Sequence, residues 1–161
     1  QRMSSYEQKA FDIKVENGKL KGLYLCFDAQ ETYFFSLLSL DDLDYVLMIE
    51  KIKEAFNSGS WLGYDLKEKF KRLATLKISP PEKFDDLILI AHLIDAASSV
   101  ELKALCQKHL SWVLKTPSEI LKEHPVQSLE ELPKNILTDN HCAQVAAIWR
   151  LYEHLWPTLE S

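Results

Sequence analysis

An α/β domain with a mixed sheet is predicted by three features of the sequence. Residues up to about 37 carry short alternating or continuous apolar runs broken by turn residues, which is strand language. From Tyr45 onward the apolar residues recur at helical spacing. Between two helical stretches, Ser60–Tyr64 forms a short apolar run of strand length. Strands first and helices after, with a further strand embedded among the helices, give layers of helix on sheet.

Residues 1–8 are polar and are expected to fray. From Ala10 to Val15, Phe11, Ile13 and Val15 alternate with Asp12 and Lys14, the pattern of a half-buried strand. Asn17-Gly18 is a hairpin dipeptide, and Gly22 to Phe27 is a continuous apolar run suited to a buried strand. After a polar turn at Asp28–Glu31, Thr32–Leu37 makes a third strand, so an antiparallel meander opens the chain. Tyr45, Ile49, Ile52 and Phe56 mark a helix that Asn57-Ser58-Gly59 stops. Leu66, Phe70 and Leu73 share one face of the helix after the Ser60–Tyr64 strand.

Beyond Pro80-Pro81, Leu87, Ile90, Ala91 and Ile94 define a helix entered through an N-cap at Asp85 or Asp86. Ser98-x-x-Glu101, Thr116-x-x-Glu119 and Ser128-x-x-Glu131 have capping-box spacing. The last helix, from about Asp139, carries Val145, Trp149, Tyr152, Trp156 and Leu159, read as packing residues rather than a base-stacking platform.

The 161 residues suit a single domain spanning 1–161, and the start at Gln1 suggests one cut from a longer protein. A hydrophobic fraction of 47% and a charged fraction of 27% exclude a disordered tail. A net charge of −5 argues against tight non-specific duplex binding, which needs clustered Lys and Arg. No apolar run approaches the roughly 20 residues of a membrane span. Cys26, Cys106 and Cys142 lack CxxC spacing and read as reduced core thiols of a cytoplasmic protein, and the five histidines lack zinc-ligand spacing.

Four ordered segments resemble the proofreading (3′–5′ exonuclease) domain of family A DNA polymerases of the DNA polymerase I type. Ala10–Val15 followed by Lys21–Phe27 is similar to that family's first strand, which carries an Asp-x-Glu pair, and its apolar second strand. Trp61-Leu62-Gly63-Tyr64-Asp65-Leu66-Lys67 is similar to the second motif, in which an Asn lies four residues before an Asp. Phe84–Asp95 resembles a Phe-Asp-x-x-Leu-x-Ala-x-Leu-Leu-Asp helix, continued by Val100–Leu110. Leu155–Leu159 resembles the helix ending in Trp-Pro-x-Leu. The resemblance covers about residues 10–159 and implies a ribonuclease H-like fold.

It also implies a DEDD-type chemistry, in which four carboxylates hold two Mg²⁺ or Mn²⁺ ions about 4 Å apart across the scissile phosphate. Hard cations require anionic oxygen ligands. Carried over, two ligand positions remain, Asp12 and Asp65. The Glu of Asp-x-Glu becomes Lys14, a charge reversal that repels a cation. Glu16 cannot stand in, because four strand residues separate it from Asp12 by about 13 Å. The second-motif Asn becomes Trp61, expected to fill part of the pocket between Asp12 and Asp65. Counting back from Trp156-Pro157, the last Asp falls at Gln144 and the water-positioning Tyr at Asn140.

Each remnant also has a structural explanation. Asp65 with Glu68 has helix-capping spacing, Asp12 and Lys14 could form an ion pair along one strand face, and the basic run around Lys67–Arg72 could be a solvated helix face. The expectation is a vestigial, non-catalytic exonuclease-like domain with no metal, supporting a polymerase domain in DNA replication and repair. It would be monomeric and would meet DNA weakly or through its parent. The alternatives are an active two-metal 3′–5′ exonuclease and a module reusing the fold to bind a protein partner.

Overall fold

A computed structural model describes residues 8–27 and 31–161. Five strands lie in the order β3-β2-β1-β4-β5. β1 (Gln8–Glu16), β2 (Lys19–Cys26) and β3 (Thr32–Ser36) form the expected antiparallel meander. β4 (Ser60–Gly63) runs parallel to β1, and β5 (Phe84–Asp86) parallel to β4. The antiparallel ladders are the longer ones, so the sheet is mixed but mainly antiparallel. The polar turn expected at 28–31 lies mostly outside the described residues.

Helices cover both faces. α1 (Asp42–Phe56) and α2 (Leu66–Thr75) pack on the face carrying Phe11, Ile13, Leu23, Leu25 and Trp61. α3 (Leu87–Ile94), α4 (Leu102–Leu110) and the 27-residue α6 (Lys134–Glu160) pack on the face carrying Ala10, Tyr24, Cys26 and Leu62. α5 (Pro117–Lys122) lies in the connection between α4 and α6. Because both faces are covered, β1 is buried on both sides rather than half-buried, and Asp12 is buried with it.

Local signals placed most elements, and packing moved several ends. Asn57 caps α1, and Gly59 turns the chain at φ +75°. Thr116 and Glu119 form the expected capping box of α5. The other two spacings do not: α4 starts at Leu102 with no side-chain cap, because Ser98 donates instead to Asp95, and Ser128 only precedes a 3₁₀ turn. Gln8, grouped with the frayed start, is a buried residue of β1 whose amide donates to Asp85 and to the Tyr152 hydroxyl. The last helix begins five residues before Asp139, at Lys134.

The β4–α2 corner is built by Asp86. Its carboxylate accepts from the N–H groups of Asp65 (3.2 Å) and Leu66 (2.8 Å) and from Ile88 N–H in its own helix (3.0 Å). One side chain thus satisfies otherwise orphaned donors at the starts of α2 and α3. Gly63 is needed beside it, since a Cβ there would meet Leu66 Cδ2 at 2.3 Å. Asp86→Ala should lower unfolding free energy by about 2–3 kcal/mol, more than an ordinary single cap. Asp86→Asn, which keeps an acceptor oxygen, should recover part of that loss in urea titrations.

Candidate functional site

Asp12 projects from the middle of β1 toward the face covered by α6. Pairing with Tyr24 on β2 places it beside that ring, which stacks between Phe34 (centroids 4.8 Å) and His141 of α6 (4.7 Å). Asp12 Oδ1 lies 3.1 Å from Lys69 Nζ, contributed by α2, and also accepts from the backbone N–H of Ile13. Its Oδ2 lies 3.5 Å from His141 Nδ1, an electrostatic contact longer than a well-formed hydrogen bond. The two ionic side chains are well shielded, with 11% of Asp12 and 14% of Lys69 exposed.

Burial alone would push the Asp12 carboxyl up. The Lys69 ammonium and the His141 ring beside it outweigh that and bring it down to about 2. The same burial, with Asp12 adjoining, pushes the Tyr24 hydroxyl up to about 12. Asp12 is therefore a fixed anion over the working pH range, and its counter-charge is an amino group of the protein itself.

The other residues singled out in the sequence do not gather around it. Lys14 pairs with Glu16 at 3.2 Å, not with Asp12 as the strand-face pairing suggested, and Asp12 is met by the well-shielded Lys69. Trp61 does not fill a pocket between Asp12 and Asp65. Its register opposite Lys9 puts it on the other face of the sheet. There it meets Phe11 and Phe56 edge-on, donates its N–H to Ser58 C=O, and carries Lys9 Nζ 5.2 Å over its ring.

Asp65 precedes α2 but does not cap it with its side chain. It sits at φ +55°, a left-handed conformation, and makes no side-chain cap; Asp86 takes that role. Among the described residues no hydrogen bond or ion pair joins Asp65 or Gln144 to Asp12. Asn140 faces a groove of about 330 Å³ beside Trp112, Ile120 and Asp139. The residues that meet Asp12 are His141, which sequence reasoning passed over, and Lys69, which was read with the Lys67–Arg72 run as part of a solvated helix face but turns inward to the Asp12 carboxylate. A signal for Lys69 was present: it stands four residues after Asp65, the spacing of the second motif.

A divalent-cation pair does not fit these side chains. Asp12 is already neutralised, Lys69 occupies the ground beside its Oδ1, and no cluster of three or more His, Cys, Asp or Glu suited to a metal occurs among the described residues.

The fold is that of the ribonuclease H-like 3′–5′ exonuclease domains. Among solved structures, RNase D of Trypanosoma brucei superposes with a TM-score of 0.69 at 17% identity, over 93% of this chain and 57% of that one. NrnC of Brucella melitensis, solved with bound Mg²⁺, gives 0.68 at 13% identity, over 98% and 76%. The POL domain of Pol1 from M. smegmatis, in complex with DNA primer-template and dNTP, gives 0.66 at 14% identity. The match covers 95% of this chain but only 24% of the polymerase chain. This chain therefore spans about a quarter of that polymerase and somewhat over half of the RNase D. No protein-family model and no curated protein matches the sequence.

The ion pair sets a pH signature. Because the folded carboxyl titrates near 2 and its ordinary value is 3.8, the stabilisation is fully present above about pH 4 and is lost as pH falls toward 2. It amounts to roughly 2 kcal/mol. Asp12→Asn should cost about 3 kcal/mol or more at neutral pH by leaving the Lys69 charge buried and unpaired. Acid titrations of unfolding free energy should show the corresponding part of the slope between pH 4 and 2 in the wild type and not in the variant.

Proposed function

We propose that this chain is a vestigial 3′–5′ exonuclease-like domain that no longer cleaves DNA. It serves as a structural module of a DNA polymerase I-type enzyme in replication and repair, in the cytoplasm. The observation that carries the reading is the contact between Asp12 and Lys69. In the two-metal reaction the first-strand carboxylate must hold cations, and here it holds an ammonium. Lys14, two residues along the same strand, adds a second positive charge where the resemblance implies a carboxylate.

In this reading the second motif runs from Asp65 to Lys69 rather than from Trp61 to Asp65. Asp65 takes the place of the Asn, and Lys69 that of the Asp. The sheet supports this register, since Trp61 faces the opposite layer while Lys69 reaches the face of Asp12. Three of the four ligand positions, Lys14, Lys69 and Gln144, then lack a carboxylate. The polymerase setting is supported by the coverage of nearly the whole chain by a segment of Pol1. The partner proposed is the polymerase domain of the same parent, with DNA met weakly or through that parent.

Calorimetry should find no saturable Mg²⁺ or Mn²⁺ site, and single-stranded DNA labelled at its 5′ end should keep its full length. Lys14→Glu combined with Gln144→Asp should leave metal affinity low while Lys69 remains, and adding Lys69→Asp should raise it. Mn²⁺-dependent shortening from the 3′ end that disappears in Asp12→Ala would sink the proposal and establish an active exonuclease.

A further inference from the structure

His109 and His154 stand on different helices, α4 and α6, and no spacing in the sequence joins them. Packing does. The two helices share one apolar core, through Leu105 and Cys106 of α4 and Ile148, Leu151 and Leu155 of α6. His109 lies one helical turn beyond Leu105, and His154 one turn beyond Leu151. Both rings therefore stand where this seam meets solvent, His109 half-buried and His154 exposed, with their centroids 5.5 Å apart.

Nothing else in the domain holds these rings. Among the described residues neither imidazole has a hydrogen bond or an ion pair, so the ring nitrogens of both are free to take a ligand. The cations nearest in sequence are engaged elsewhere. Lys108 Nζ lies 2.9 Å from Ser98 Oγ and 3.4 Å from the Asp95 carboxylate, and the Arg150 guanidinium lies 5.3 Å over the Trp112 ring.

The separation suits one shared ion. Zinc–nitrogen bonds of about 2.0–2.1 Å put a ring centroid about 3.2 Å from the metal, so two rings at a tetrahedral angle stand about 5.2 Å apart. The observed 5.5 Å is close to that distance. The ring planes are tilted by 51°, unlike the Tyr24–His141 pair at 21°, where one ring lies against the face of the other. Neutral imidazole favours Zn²⁺, Ni²⁺ and Cu²⁺, whereas Mg²⁺ and Mn²⁺ favour oxygen ligands. His109 also borders a cavity of about 300 Å³ lined by Ser98, Ser99 and Leu155, which leaves room for the waters that complete the shell of an ion with two protein ligands.

We propose that His109 and His154 form a two-histidine site for a borderline divalent transition ion of the Zn²⁺ class, tying α4 to α6. The site is distinct from the Asp12 region, because His154 lies thirteen residues, about 20 Å, beyond His141 along α6. It holds whether or not the domain cleaves DNA.

The test is calorimetry of the 161-residue chain with Zn²⁺, and with Mg²⁺ as the control for an oxygen-ligand site. Zn²⁺ should saturate at one ion per chain and raise the melting temperature, since an ion bound only by the folded state stabilises it. His109→Gln and His154→Gln should each weaken Zn²⁺ binding at least tenfold and abolish the rise. His154 is exposed, so its variant tests the site without disturbing the core, and metal-free circular dichroism melts check that both variants fold. In a Ni²⁺ titration the ring protons of His109 and His154 should broaden before those of His92, His124 and His141.

Zn²⁺ binding that is unchanged in His154→Gln would overturn the proposal. So would the absence of a saturable Zn²⁺ site, or binding that is lost instead in His141→Gln or Cys142→Ser.

Discussion

A carboxylate in the middle of a covered sheet must be compensated, and in this domain the compensation ties three layers together. Asp12 is buried on β1, and its charge is held by Lys69 from α2 on one side and approached by His141 from α6 on the other. Removing a charge from water costs several kcal/mol unless a partner sits in good geometry. The pair thus constrains where both helices can lie against the central strand. Lys69 gives the Asp12 carboxylate an internal counter-charge, while Lys14, two residues along the same strand, pairs with Glu16.

The remaining polar groups of the core follow the same logic on a smaller scale. Asp86 gathers the N–H groups of two helix starts, which lets β4 and β5 lie side by side and turn sharply into helices. Asp85, its neighbour on the strand, faces Gln8 and Tyr152 instead, and burial raises its carboxyl. Phe34, Tyr24 and His141 form a stack that closes the space above Asp12. The space beside Asp12 is occupied by these rings and by the ion pair with Lys69.

Much of this was legible along the chain. The meander, the α1 stop at Asn57–Gly59, the strand at Ser60 and the capping box at Thr116 follow from turn residues and periodicity, which act over a few residues. What failed depended on neighbours distant in sequence. Ser98 and Asp65 have capping spacing, yet the Ser98 hydroxyl donates to Asp95 while Ser99 accepts from Glu101 N–H, and Asp86 takes the Leu66 N–H at the start of α2. β5 was missed because three residues carry no period. Trp61 was placed in the cleft because sequence similarity aligns positions without saying which face of a sheet each occupies.

The order of most strands and helices was determined by the sequence itself, because hydrophobic period and turn chemistry are local properties, and the ribonuclease H-like fold was implied by the family resemblance. The absence of carboxylate at Lys14 was equally plain, since it concerns one residue type at one strand position. Only the tertiary structure decided which side chain answers Asp12. Lys69 lies 57 residues away in the chain, and its meeting with Asp12 depends on the parallel pairing of β1 with β4 and on the corner that Asp86 holds. The spacing of Lys69 from Asp65 could mark it as a candidate, but which distant side chain it meets is set by packing.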